Sequence, residues 1–231
     1  MWKFCVVCFL FKRYEQSASC KCFMIKILKK MKNKHIIFPA IVFAVIALVS
    51  CQNKEGLAKK VNGTWQSVPE HIINTDSISV SLIKSYEFAP MQDAEGTLII
   101  SAMLSIEKYM PESDSIIAPL TVNAAAIASV TGTYEAVSYD KIILHPDAST
   151  FSLSVDSAAV SYNYNVLDNN AAPDLVNLKP QWAKEFKQDL TQAVKENFMR
   201  CDTLTKVKVS DTLMHCHDGK EDLTMRLQTP Q

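Results

Sequence analysis

The residues best equipped for chemistry in this chain are its histidines and cysteines, and their spacing decides what they can do. His215 and His217 stand at i and i+2 with Cys216 between them. On a strand the two imidazoles share a face and supply two legs of a metal site, but no third ligand is identifiable nearby in sequence. Cys5-x-x-Cys8 and Cys20-x-Cys22 pair thiols as zinc ribbons do, yet nothing between the pairs is a foldable scaffold. His71 and His145 are isolated. No serine occupies a Gly-x-Ser-x-Gly elbow. Gly56, Gly63, Gly96, Gly132 and Gly219 are too scattered for a phosphate-binding loop. The carboxylate pairs Glu112 with Asp114 and Glu221 with Asp222 fall in turns or strand edges, where solvation is expected. No catalytic residue, metal site or cofactor is assigned, and the expectation is a binding or structural protein rather than an enzyme.

One cysteine has a different setting. Cys51 closes Leu48-Val49-Ser50-Cys51, which follows a basic head, Met31-Lys32-Asn33-Lys34, and an apolar run of fourteen residues, Ile36 to Val49, broken only by Pro39. A bilayer span takes ~20 apolar residues, so this run fits the core of a signal peptide instead. Such a peptide begins at its own basic head, which makes Met24 or Met31 the expected start. Residues 1–50 are therefore read as an upstream extension plus signal peptide, 51–60 as a polar tether and 61–228 as one folded domain.

The tetrapeptide resembles the lipobox of bacterial lipoproteins. That resemblance implies lipidation of Cys51 by a diacylglycerol thioether and an acylated amino group, hence a cell-envelope protein anchored to a membrane without spanning it. Each buried CH₂ contributes ~0.8 kcal/mol, so two or more chains make a stable anchor where one is marginal. By the same resemblance, Gln52 after the cysteine, with no acidic run behind it, implies the periplasmic side of the outer membrane. An oxidising compartment permits a Cys201–Cys216 disulfide. If residue 205 faces residue 216 across a hairpin, Cys201 lies ~13 Å further along, and the bridge requires the chain before it to fold back.

Lys plus Arg and Asp plus Glu each number 24 over the whole chain, but from Cys51 onward they are 15 and 23, a net charge of 15 − 23 = −8. An acidic body excludes the Lys/Arg footprint that nucleic acid demands and argues against electrostatic adhesion to anionic lipid.

The elements that must position any site have a period of two. Ile78, Val80, Leu82, Tyr86 and Phe88 alternate with polar residues, as do Leu98, Ile100, Ala102, Leu104 and Ile106, and Asp93-Ala94-Glu95-Gly96 joins the two as a hairpin. Leu120 to Val130 alternates with small residues, Ala124, Ala126 and Ala128, on one face, and Gly132 marks an expected bend. Short strands follow at 141–145, 151–155 and 159–166. From Pro180, Trp182, Phe186, Leu190, Val194 and Phe198 recur every four residues, an amphipathic helix of about 180–199. Strands at 203–209, 212–217 and 221–227 close the chain, with Asp218-Gly219 as a turn. The fold class is mainly β, an antiparallel barrel or meander with one helix before the last strands.

Val61-Asn62-Gly63-Thr64-Trp65-Gln66-Ser67-Val68 and Val130-Thr131-Gly132-Thr133-Tyr134-Glu135-Ala136-Val137 match one another. Gly-Thr-Trp on a first strand resembles the lipocalin signature. Together with the lipobox, the Leu-Lys-Pro helix and the Asp-Gly hairpin it is similar to lipocalin-like lipoproteins of Bacteroides-type bacteria, although in full lipocalins the helix follows the last strand. The resemblance implies a small barrel with Trp65 at its floor and an interior lined by Trp65, Leu98, Ile100, Leu104, Val122, Tyr134, Trp182 and Phe186. Two roles remain open: a carrier of a small apolar ligand or lipid tail, or an envelope interaction protein with a solid core. Replacing Cys51 with alanine is expected to move the protein from the membrane to the soluble fraction. Retention in the membrane pellet would count against the anchor.

Overall fold

A computed structural model of the chain describes residues 54–112, 119–164 and 175–228. Residues 1–50 and Cys51, and with them the signal-peptide and lipidation readings, lie outside these residues. So does most of the loop expected before the long helix.

Alternation builds the three long strands that carry the fold. In β3 (Ile78–Pro90), β4 (Glu95–Met110) and β5 (Leu120–Ala136) the even-numbered side chains face inward and the odd-numbered ones outward. Their antiparallel ladders stack the inward residues into rows: Phe88, Leu98 and Gly132; Tyr86, Ile100 and Val130; Lys84, Ala102 and Ala128; Leu82, Leu104 and Ala126; Val80, Ile106 and Ala124.

The remaining strands are short and pair with only part of these three. β1 (Gly63–Ser67) pairs with the far half of β3, while β2 (Glu70–Asn74) takes its near half. On the other flank, β6 (Ile142–Pro146) pairs with the end of β5, β7 (Ser152–Val155) with its middle and β8 (Ser161–Tyr164) with its start. β9 (Thr203–Val209), β10 (Leu213–His217) and β11 (Asp222–Leu227) form a meander from β6 round to β1. Eight strands, β1-β11-β10-β9-β6-β5-β4-β3, thus return to β1 and close a barrel, with β2, β7 and β8 as outlying pairings.

At the level of β2, β7 and β8 the strands leave the wall open, and a helix completes it. α2 (Lys179–Met199) starts with proline in its first turn, which tolerates a missing N–H. Its buried face is Trp182, Ala183, Phe186, Leu190, Val194 and Phe198, and it touches β2, β5 and β7. Trp182 packs edge-on against Tyr162, the partner of Val122, and Phe198 against Phe151, beside the partner of Ser129. From Trp182 to Phe198 the helix rises about 24 Å and from Val122 to Ser129 the strand rises about 24 Å, so α2 runs along β5 as a stave. Burying each large side chain contributes about 1.5–3 kcal/mol, against about 0–1 kcal/mol for the exposed Lys108–Asp189 ion pair at 3.8 Å. Apolar burial holds the helix.

The structure bears out the mainly β class, the closed antiparallel barrel and the single long helix before the last strands. Four details differ from expectation. Residues 54–60, read from sequence as tether, form a short helix, α1, whose Leu57 and Ala58 are buried with Val61 in the core. The 78–107 hairpin turns one step earlier than expected, at Asp93 and Ala94, which both adopt positive φ. β2 was not foreseen, because Glu-His-Ile-Ile-Asn does not alternate. β5 passes through Gly132 without a break: the glycine serves close approach, since a Cβ there would lie 2.2 Å from the carbonyl oxygen of His145 on β6.

Gly132→Ala should therefore cost about 3 kcal/mol, because backbone on both strands must move apart. Gly56→Ala, in α1 with nothing within 4 Å of the added methyl, should stabilise by about 0.5–1 kcal/mol. Urea unfolding of the two variants checks this contrast.

Candidate functional site

The eight residues read from sequence as lining are all buried: Trp65, Leu98, Ile100, Leu104, Val122, Tyr134, Trp182 and Phe186. They do not converge on one point. Trp65, Leu98, Ile100 and Tyr134 belong to the strand-closed half, while Val122 lies under the helix that carries Trp182 and Phe186, with Leu104 between. Leu98 and Lys108, the partner of Val122, are about 33 Å apart along β4.

Trp65 anchors the closed end. Its indole N–H donates to the carbonyl of Val61 at 2.7 Å, tying β1 to the turn that ends α1 and satisfying the one polar atom of a buried ring. Tyr134, its counterpart in the repeated motif, crosses β4 over Gly96, where a Cβ would meet its ring at 2.3 Å, and packs edge-on against Phe88 at 5.1 Å. Its hydroxyl is buried without a partner among the described residues. Burial pushes the phenol up to about 12, so it stays protonated.

Between the two halves sits a polar group that sequence reasoning passed over. Lys84 occupies an inward position of β3 and is only 5% exposed. Its row neighbours on β4 and β5 are Ala102 and Ala128, whose small side chains leave its stem room across the inner face. The ladder on the other side breaks here: β1 ends at Ser67 and β2 begins at Glu70, with Val68 and Pro69 between. Ser67 Oγ accepts the Lys84 backbone N–H at 3.1 Å in place of a strand partner. The ammonium is 3.1 Å from Glu70 Oε1, and the same oxygen accepts Nδ2 of Asn197, from the last turn of α2, at 2.9 Å. Asn197 Oδ1 is buried without a partner among the described residues.

The expected cysteine geometry is also revised. Thr205 pairs with His217 rather than with residue 216, and the register shifts within β10. Cys201, at the end of α2, folds back into the core as Cys216 enters it from β10, and both are buried free thiols. Burial first, then nearby Asp218, pushes Cys201 up to about 11, and burial with Cys201 beside it pushes Cys216 up to about 12. Neither thiol is a nucleophile at neutral pH. Tyr86 is held well above its usual range by burial, then by Cys201, Glu70, Cys216 and Asp218, so these groups share one locality. Burial would also raise Asp218, but the backbone N–H groups of Glu221 and Lys220, helped by Arg200 and Lys84, outweigh it and hold the carboxyl low.

His215 and His217 are occupied across the β10–β11 hairpin, with Nδ1 atoms 3.0 Å from Thr224 Oγ1 and 3.0 Å from Asp222 Oδ1. Among the described residues no three His, Cys, Asp or Glu side chains are grouped as metal ligands, and no helix is long and apolar enough to cross a membrane. Comparison with protein-family models and with curated proteins returned no match to this chain.

An interior ammonium with one carboxylate partner makes an asymmetric pair. Glu70→Ala leaves the charge buried and uncompensated and should cost about 3 kcal/mol. Removing both charges, as Lys84→Met with Glu70→Ala, should cost less than Glu70→Ala alone. Denaturant midpoints of the single and double variants measure this, and a Glu70→Ala cost within about 0.5 kcal/mol of zero would mean that the ammonium is hydrated.

Proposed function

We propose that the protein is a membrane-anchored cell-envelope lipoprotein whose barrel takes up a small apolar ligand or lipid tail. The anchor reading rests on the order of basic head, apolar run and Leu48-Val49-Ser50-Cys51, with Cys51 as the lipidated residue and the periplasmic side of the outer membrane as its place. The carrier reading rests on one observation, the helical wall. In the closed half neighbouring strands are joined by backbone hydrogen bonds. Along α2, among the described residues, no backbone hydrogen bond joins helix to strand. The helix is held by side chains, with Asn197 on Glu70 and Lys108 on Asp189 as its polar ties. A wall held by apolar contacts and two polar side-chain ties separates without breaking a ladder, and it releases onto a largely apolar inner face.

The second reading, an interaction protein with a solid core, draws on the same helix. Ala124, Ala126 and Ala128 face inward along the length of β5 that α2 follows, so small residues there accommodate Trp182 and Phe186 as readily as they accommodate a ligand. Expressing the chain from Gln52 without lipid, determining its structure and extracting it for mass spectrometry separates the two. The carrier reading expects a co-purified apolar molecule beneath α2. A filled interior with nothing extracted sinks it and leaves the interaction protein.

A further inference from the structure

We propose that the polar group at the junction of helix and barrel is the head-group subsite of the ligand, and that the head it takes is an uncharged hydroxyl. This rests on the carrier reading above and goes beyond it by assigning residues and a ligand chemistry.

Two buried polar functions stand together there with hydrogen-bonding capacity to spare. The Lys84 ammonium has three N–H donors and, among the described residues, one partner, Glu70. Asn197 offers a buried carbonyl oxygen that accepts nothing among the described residues. Because Lys84 Nζ and Asn197 Nδ2 converge on the same Glu70 oxygen, the two nitrogens are about 6 Å apart at most, the two bonds laid end to end. The acceptor Oδ1 belongs to the same amide as Nδ2, so the spare donors and the spare acceptor stand in one locality. The amide orientation is not arbitrary, since turning it over would set its oxygen against the Glu70 carboxylate.

The charge balance selects the head group. Glu70 already neutralises Lys84, and the neighbouring Asp218 lies 3.8 Å from Arg200. A carboxylate or phosphate entering this place would be buried against a cation that is already paired, next to two acidic side chains, on a body that is itself acidic. A hydroxyl adds no charge. Its oxygen accepts an N–H from Lys84 and its hydrogen goes to Asn197 Oδ1, so one group satisfies both functions. The position suits an amphipathic molecule. The group lies beside the break between β1 and β2, where Glu70 is a quarter exposed, and the next inner row on the helix side, Leu82 with Leu104, is apolar. Head and tail thus have separate places.

The test uses the full chain in detergent, equilibrated with deuterated hexadecanol, hexadecane or, at about pH 9 where its carboxyl is ionised, hexadecanoate, with retained probe read by native mass spectrometry. Hexadecanol should be retained about tenfold more than either of the others, as one charge-assisted hydrogen bond implies. Lys84→Met and Asn197→Leu should each bring hexadecanol down to the level of hexadecane. The comparison of heads on the unaltered chain stands even if a variant does not fold. Equal retention of all three would leave the carrier and remove the hydroxyl subsite, and preference for hexadecanoate would mean that an anion is taken instead. If no probe is retained, the carrier reading falls and the subsite with it.

Discussion

Three strands of 13, 16 and 17 residues stand beside neighbours of four to seven, and this mismatch of length is the constraint on which the structure depends. A long strand exposes its inner face wherever a short neighbour ends. β1, β6, β9, β10 and β11 cover one half by closing a barrel. The other half of the inner face, Val80, Leu82, Leu104, Ile106, Val122 and the alanines of β5, needs a second cover. Five large apolar side chains of α2 supply it, and the helix has the length to do so because its rise over Trp182–Phe198 equals that of the β5 segment below it.

Two kinds of wall follow, and they differ in how they come apart. A strand seam is a ladder in which every second residue pair is held by backbone hydrogen bonds that cannot be lost without exposing polar groups. The helix keeps its backbone satisfied internally, so separating it from the sheet exposes mainly apolar surface and breaks only the side-chain ties of Asn197 to Glu70 and of Lys108 to Asp189. The chain places its polar interior at the boundary between the two. Lys84 faces inward where the β3 edge passes from β1 to β2, and Glu70 from β2, Asn197 from α2, Cys201 just after it and Asp218 from the β10–β11 hairpin gather near it. A break in the ladder is where polar side chains are needed, as Ser67 shows by accepting the amide that no strand partner meets.

Much of this was legible in the sequence. The faces of β3, β4 and β5, the stripe of α2 and the final three strands follow from alternation and spacing, because a side chain's face is set by its own strand or helix period; the burial of Trp65 and Tyr134 was expected from their repeated motif and its resemblance. The helix at 54–60 was hidden by its lysines, which mask Leu57 and Ala58 in a polar stretch. β2 was hidden because both of its faces are partly covered. Lys84 was passed over because a charged residue at an inward position breaks the pattern that identifies the strand.

By itself, then, the amino-acid order determined the class of fold, the single long helix and its place before the last strands, and the acidic composition from Cys51 onward. These are properties of local period and composition. Only the tertiary structure decided where the wall closes by strands and where by a helix, that the lining residues fall into two groups rather than one, that Cys201 and Cys216 meet as free thiols, and that Lys84, Glu70 and Asn197 share one oxygen. Each of these depends on which rows of different strands come level with one another. Register across a sheet is set by the packing of the whole inner face, and no single segment carries it.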